Sequence, residues 1–507
     1  MAAPARTPWW RSAVVYQVYP RSFADADGDG IGDLDGVRQR LDHLRWLGID
    51  AVWLSPFYRS PMADFCEVDP LFGDLAAFDA LLDDAHRAGI RVIVDLVPNH
   101  TSDQHPWFQA SRRSRDDPKR DWYVWRDGGG PERPPNNWLG AFVEGGRAWT
   151  WEPTTEQWYL HQFLPQQPDL NWANPEVVDA MHGVMRFWLD RGVDGFRIDV
   201  VHCIGRHPDL PDDPSPWSEI PHCASNEHES THAHIRAMRA LADSYPGDRV
   251  LIGETALPGT RYVAPYYGRG DELHLAFNFA VTHAPWDAAA WRKRIERVAE
   301  ELDPREAWPS WVLSNHDVPR HRTRYGGSEA RARAAAVALL TQRGTPFVYA
   351  GEELGLEDAV VPPERVVDPG GRDGCRAPIP WTPAPGHGWG DAAWLPFPPS
   401  ASERSVEAER ASEDSVLHLY RRLLVARRGS EALSLGALSL LETPTGTLGW
   451  RRHAPAGDER VVLVNMSPVS TEIHEDGLVE VASDGRDEGA RFGGTLAPDT
   501  AVILRPG

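Results

Sequence analysis

The chain has 507 residues, with 52 Lys and Arg against 74 Asp and Glu, for a formal charge of −22. This acidic balance, without long basic runs, argues against a nucleic-acid or anionic-membrane partner. A hydrophobic share of 41% excludes global disorder and leaves room for one large domain with one or two small ones.

The eight short apolar runs with β-rich composition are Val14–Tyr19, Ala51–Pro56, Arg91–Pro98, Gly195–Val200, Val250–Glu254, Leu273–Phe279, Trp311–Asn315 and Thr345–Ala350. Near-continuous apolar strands belong in a sheet buried on both faces. Helical patterns separate them. Val37, Leu41, Leu44 and Leu47 share one face; Val177, Met181, Val184, Met185, Trp188 and Leu189 share another, on a helix opened by Asn174 as cap and Pro175 in the first turn. Two regions break the alternation. Thr101–Asp169 is rich in Trp, Pro and Gly and is too long for a simple loop. From about Ser430 short strands follow one another, among them Thr447–His453, Arg460–Asn465 and Thr500–Leu504. The predicted fold is an α/β (β/α)8 TIM barrel, with an inserted subdomain after strand 3 and a C-terminal antiparallel β domain. The expected boundaries are 1–100 and 170–428 for the barrel, 101–169 for the inserted subdomain B, and 429–507 for a β-sandwich. Val361–Gly390 reads as a long barrel insertion.

Cys66, Cys203, Cys223 and Cys375 form no CxxC pair and read as free thiols of a reducing compartment. Met1–Arg11 shows no signal-peptide pattern, and no apolar stretch of about 18 residues is present. A cytoplasmic chain without a membrane partner is expected. The 22 Trp suit a protein that stacks on sugar faces, although most are assigned to the core.

A parallel barrel presents its chemistry at the C-terminal strand ends. Those ends carry Asn99-His100, Arg197 and Asp199, Glu254, and Asn315-His316-Asp317. Three carboxylates, two His and one Arg suit glycoside hydrolysis with retention, which needs an ionised nucleophile facing a protonated acid. Arg197 favours an ionised Asp199, and Glu254 at an apolar strand end is the candidate acid. Asp317 could stabilise the oxocarbenium-like transition state. Any one of these alone reads equally well as a loop anchor.

The segments WWRSAVVYQVYPRS (9–22), DLVPNH (95–100), QPDLNW (167–172), GFRIDV (195–200), IGET (252–255) and SNHD (314–317) occur in this order. Together they resemble the α-amylase superfamily, glycoside hydrolase family 13, and within it the α-glucosidase/oligo-1,6-glucosidase group. The resemblance implies Asp199 as nucleophile, Glu254 as general acid/base and Asp317 as stabiliser. It places His100, Arg197 and His316 on the first glucose. Phe163 and Arg324 join them as candidate sugar contacts. Gln167–Asn171 resembles the oligosaccharide-acting signature, and Val200 resembles members favouring α-1,6 links. Asp64 matches the Asp that binds the non-reducing glucose. The family's Gly-Tyr-Asp continuation is missing there, and Phe65 is the one aromatic beside it.

Asp25, Asp27 and Asp29 alternate in a Gly-rich turn, followed by the carbonyl of Ile31 and by Asp33. Hard oxygen donors at this spacing open a Ca²⁺ loop. Gly36 stands where an EF-hand carries its closing Glu, so Asp33 is the candidate to close it. The resemblance implies a structural Ca²⁺ there, with Mg²⁺ as the alternative and no organic cofactor. His228-Glu229-Ser230-Thr231-His232 matches the zinc-protease HExxH pattern, but with no third ligand in view it reads as a surface helix.

The expected function is hydrolysis of terminal α-linked glucose from a disaccharide or short oligosaccharide, by a monomer or homodimer. Glucosyl transfer or disaccharide isomerisation would use the same residues. An amylase-like protein of reduced or no activity is the reading from a different class.

Overall fold

The computed structural model describes residues 7–59, 64–141, 146–213, 228–390 and 392–507; for Arg59 and Asp64 only the backbone is described. The fold is a (β/α)8 barrel. Its strands are β1 (Val15–Val18), β2 (Ala51–Leu54), β3 (Arg91–Leu96), β4 (Gly195–Ile198), β5 (Val250–Gly253), β6 (Leu275–Ala276), β7 (Ser310–Val312) and β8 (Thr345–Tyr349). All eight overlap the predicted runs, β7 beginning one residue before its run. The sheet order is β6-β5-β4-β3-β2-β1-β8-β7, so chain neighbours are sheet neighbours and the first strand meets the last. Nearly every strand residue is buried, which is why the runs read as continuously apolar. No helix among the described residues is long and apolar enough to cross a membrane.

The chain forms two compact units, one of residues 1–54, 83–92 and 278–507, the other of residues 55–82 and 93–277.

In the first unit β1 pairs with both β2 and β8, Val15 standing opposite Ala51 and Phe347. The stretch predicted as one helix is two, α1 (Leu34–Gln39) and α2 (Leu41–Leu47). Arg40 (φ −100°, ψ 4°) interrupts the turn between them, and Gly48 ends α2 in a left-handed cap. A C-terminal antiparallel sheet joins β9 (Ala437–Leu440), β10 (Thr447–His453), β11 (Glu459–Asn465), β12 (Leu478–Ala482) and β13 (Thr500–Arg505) in the order β9-β10-β11-β13-β12. A second, two-stranded sheet pairs Thr471–Glu472 with Thr495–Leu496. Val461, Leu463 and Leu504 from the larger sheet share a core with Leu496 from the smaller and with Ile473, the residue after its first strand.

Two buried guanidinium groups of this unit, those of Arg427 and Arg452, are held by backbone carbonyls. Arg427, 2% exposed, donates to the carbonyls of Leu340, Leu433 and Gly344 at 3.0, 2.8 and 2.7 Å. Arg452, fully buried, donates to Thr341 and Gly436 carbonyls at 2.6 and 2.8 Å. Two of these carbonyls, those of Leu340 and Thr341, end the helix Glu329–Thr341, whose negative pole favours a cation. Burial, not a charge partner, is what pushes the Arg427 guanidinium down to about 10. Arg427→Met would strand these carbonyls. We expect a loss of about 3 kcal/mol, read as a lower urea midpoint. An unchanged midpoint would show the collar to be dispensable.

In the second unit β4 lies between β3 and β5, with Gly195 opposite both Ile93 and Val250. A Cβ at Gly195 would come within 2.2 Å of the Val250 carbonyl oxygen, so no side chain fits there. The helix Pro175–Arg191 starts as predicted: Asn174 accepts from the Glu176 amide at 2.9 Å and Pro175 occupies the first turn. After β3 the inserted region builds a three-stranded antiparallel sheet from Trp125–Arg126, Trp149–Glu152 and Gln157–Leu160. Its core holds Trp138, Trp149 and Trp158. Much of the Trp content is thus structural, as expected. Cys66, Cys203 and Cys375 form no disulfide among the described residues; Cys223 lies outside them.

Candidate active site

Asp199 and Glu254 are the first residues beyond β4 and β5. Backbone bonds interlock the two strand ends: the Glu254 amide donates to Ile198 O at 2.8 Å, and the Val201 amide donates to Glu254 O at 3.1 Å. The side chains meet on one guanidinium. Arg197 Nη1 donates to Asp199 Oδ1 at 2.7 Å, and Nη2 donates to Glu254 Oε2 at 2.6 Å. Nη1 also donates to both oxygens of Asp95, at 2.9 and 3.1 Å. Arg197 is 2% exposed and Asp95 fully buried, whereas Asp199 and Glu254 keep 23% and 12% of their side chains open. The buried pair therefore anchors the guanidinium, and the two accessible carboxylates are presented from it. The sequence reading gave Arg197 to Asp199 and to the first glucose; it did not give Glu254, 57 residues away in the chain, or Asp95, 102 residues away.

Val200 follows Asp199 with φ 34° and ψ 45°, a left-handed conformation costly for a β-branched residue. Its amide donates to Glu254 Oε2 at 3.1 Å. These two donors to that oxygen come from the segment carrying Asp199.

His100 forms a second group in the same unit. Its Nε2 lies 3.0 Å from Gln167 Nε2, its Nδ1 lies 3.4 Å from Asn99 Nδ2, and its ring is 5.3 Å from that of Phe163. Burial pushes the imidazole down to about 4, so it is neutral near pH 7 and can either donate or accept one hydrogen bond. Arg206 holds this corner by donating to Asp169 Oδ2, Asn99 Oδ1 and Leu170 O at 2.5, 2.8 and 3.1 Å. Sequence reasoning missed Arg206. It stands in irregular chain, and no periodicity marks it.

Asp317 lies in the first unit, on the loop after β7. Arg372 Nη1 and Arg376 Nη2 donate to its Oδ1 at 2.7 and 3.2 Å. Asp368 braces Arg372 through two bonds of 2.9 and 2.6 Å. Although burial alone would push the Asp368 carboxyl up, the Arg372 bonds hold it below the usual range. His316 Nε2 lies 3.3 Å from Asp317 Oδ2, and its Nδ1 lies 2.7 Å from Gln17 Nε2. Tyr19 stacks on the His316 ring at 6.0 Å. Arg324, a candidate sugar contact, donates to the carbonyls of Pro319 and Leu313. Arg372 and Arg376 were read only as part of a long insertion. The recurrence of Arg at 372 and 376 was the available signal.

Asp64 opens a strand (Asp64–Val68) hairpinned with Tyr58–Arg59; its side chain lies outside the described residues. Phe65 is 2% exposed, with His105, Trp107 and Tyr58 rings around it, so it is a core residue of that hairpin.

Carboxylate oxygens of Asp25, Asp27 and Asp29 lie within 4.8 Å of one another, the single such cluster of potential metal ligands among the described residues. Gly28 and Gly30, at φ 85° and 88°, turn the backbone so that their amides donate to Asp25 at 2.6 and 2.9 Å. Burial would push the Asp25 carboxyl up, but the amides of Gly30, Gly28 and Gly390 outweigh it and hold it low. Asp33 sits apart from the cluster. It caps the helix Leu34–Gln39 through the Gly36 amide at 2.6 Å and accepts from Ala26 at 2.8 Å. The HExxH stretch straddles a helix start: Ser230–Asp243 is helical, His228 bonds to Ser230, and His232 to Glu272. Its two His therefore do not share a helix face.

A family model described as the catalytic domain of α-amylase matches residues 17–436. A probable α-glucosidase of Rhizobium meliloti (strain 1021) is 42% identical over 503 residues, spanning 90% of this chain and 89% of that relative. An oligo-1,6-glucosidase of Parageobacillus thermoglucosidasius is 35% identical over 515 residues, spanning 90% of each chain. Among solved structures, the α-glucosyl transfer enzyme XgtA superposes with a TM-score of 0.92 at 40% identity, covering 99% of this chain and 100% of that one.

Proposed function

Since the chain belongs to the α-amylase family of glycoside hydrolases, we propose that it is a retaining α-glucosidase that releases terminal glucose from short oligosaccharides through a covalent intermediate on Asp199. The observation that carries this reading is the single guanidinium of Arg197 bound to both Asp199 and Glu254. Retention needs two carboxyl groups about 5–5.5 Å apart, close enough for one to attack the sugar while the other protonates the leaving oxygen. A shared guanidinium that holds both carboxyl groups supports such a pairing.

In the proposed cycle Asp199 attacks the anomeric carbon while Glu254 gives its proton to the departing oxygen. Esterification removes the negative charge of Asp199. A neighbouring carboxyl ionises more easily once a like charge has gone. Glu254 then accepts a proton from the water that releases glucose. Asp317 has the third role by family likeness, accepting hydrogen bonds from sugar hydroxyls; Arg372 and Arg376 fix the oxygen they share. Neutral His100 supplies a hydroxyl contact.

Retention is tested by NMR of the first glucose released from an aryl α-glucoside, before mutarotation. The α-anomer is expected; β-glucose first would mean inversion and end the reading. A second reading, transfer of glucose to an alcohol acceptor, is favoured by the likeness to the transfer enzyme XgtA. In that case glucose release falls below p-nitrophenol release as acceptor is added.

We also propose a hard divalent cation, Ca²⁺ or Mg²⁺, on Asp25, Asp27, Asp29 and the Ile31 carbonyl. Three clustered carboxylate oxygens are the donor chemistry such ions take. The ion would brace the turn after β1 and take no part in the reaction. A ligand at a hundred times its Kd stabilises by about 2.7 kcal/mol. Chelation should therefore lower the melting temperature by a few degrees and added calcium restore it. A melting temperature indifferent to both would remove the ion.

A further inference from the structure

Beyond β8 two consecutive carboxylates, Glu352 and Glu353, are turned into the interior, their side chains essentially unexposed. Glu353 is satisfied: it accepts from Tyr16 Oη at 2.8 Å and from the Gly351 amide at 2.9 Å. Neither oxygen of Glu352 has a hydrogen-bond partner among the described residues. Among the described residues the group that pairs with it is the imidazole of His321, 2% exposed, with Nδ1 at 3.5 Å; the phenols of Tyr325 and Tyr420 lie near the same carboxylate. A carboxylate taken out of water is costly unless a partner compensates it, and the imidazole is placed to be that partner.

His321 has a second set of bonds. Its amide donates to Ser314 Oγ at 2.9 Å, and its Nδ1 lies 3.1 Å from the same oxygen. Ser314 and His321 are the two ends of the loop that carries Asp317. Their bonds close its neck. Within the loop Asn315 Oδ1 accepts from the amides of Asp317 and Val318 at 2.8 and 3.1 Å. The chain of contacts thus runs from Glu352 through His321 and Ser314 to the loop.

We propose that Glu352 and His321 are positioning residues, a buried carboxylate–imidazole pair that fixes the neck of the Asp317 loop and so the placement of Asp317 on the sugar. The proposal rests on the glucosidase reading for the role of Asp317. A misplacement of about 1 Å in a catalytic group can cost on the order of a hundredfold in rate.

Glu352→Gln keeps the shape and removes the charge. We expect kcat on an aryl α-glucoside to fall at least about tenfold while KM stays within about twofold. In an Asp317→Asn background the same change should have little further effect, because residues acting through one another are not additive. An equal fall in both backgrounds, or none in either, would overturn the proposal. If Glu352→Gln does not fold, Ser314→Ala opens the neck without touching the buried charge; an unchanged kcat there overturns it equally. Hydrogen exchange of the amides of residues 315–318 gives a readout independent of turnover. It should quicken in both variants, and unchanged protection counts against the proposal. A wild-type protein that does not turn over the glucoside would sink the glucosidase reading instead, leaving the exchange result to decide this one.

Discussion

Asp199→Asn is expected to lower kcat/KM on an aryl α-glucoside by about 10⁴-fold, equivalent to roughly 5.4 kcal/mol of barrier. The substitution keeps the side-chain shape, so the loss is chemical. An amide oxygen is a poor nucleophile and carries no charge to meet the developing positive sugar. Folding should survive, because Arg197 keeps its bonds to Asp95 and Glu254. The role itself is separated from a structural one by the smaller variant Asp199→Ala with azide. If Asp199 is the nucleophile, azide enters the vacated space and yields β-glucosyl azide, the inverted product, with partial recovery of rate. Equal turnover by wild type and Asp199→Asn would remove the mechanism outright. Recovery with α-glucosyl azide as product would move the nucleophile to another residue.

The barrel was legible because burial on both faces leaves each strand a short apolar run with no polar alternation. Asp199 and Glu254 stand at the first position past their strands. Other features were illegible for equally physical reasons. Strand β6 pairs through only two residues, Leu275 and Ala276, so most of its seven-residue apolar run is core chain outside the ladder. The break at Arg40 depends on how two helices seat, which side-chain spacing does not encode. Arg372 and Arg376 reach Asp317 from 55 and 59 residues further along, through a Gly- and Pro-rich segment without a period to place them. Asp33 read as a metal ligand because acidic spacing cannot tell a coordinating carboxylate from one spent on a helix cap. In each case the missing information is a partner distant in the chain. Sequence pattern reports which face is buried; it does not report which guanidinium ends beside which carboxylate.

Arg197 is where fold and chemistry share one group, and Arg197→Met should injure both. The guanidinium serves Asp95, Asp199 and Glu254, two of which stay partly open to solvent while Asp95 is sealed. Methionine fills similar space but returns no charge and no donors. Removing one side of a buried ion pair typically costs about 3–5 kcal/mol, since the partner is left buried and uncompensated. Here three carboxylates are left together. They relieve their repulsion by taking up protons. A folded state that binds more protons than the unfolded chain loses stability as pH rises. The Arg197→Met protein should therefore melt at higher temperature as the pH is lowered from 7 towards 5, and a melting temperature that falls over that interval would exclude carboxylate repulsion as the cause. Activity should not follow stability. A nucleophile that holds a proton cannot attack, and an acid that has lost its proton cannot donate, so kcat/KM should stay low on both sides of neutral pH. Arg197→Lys makes the test sharper: it restores one charge but cannot span two carboxylates with separate nitrogens. We expect it to regain most of the stability and little of the rate. If lysine restored both, the charge alone would suffice, and the two-pronged grip on Asp199 and Glu254 would have no part in the reaction.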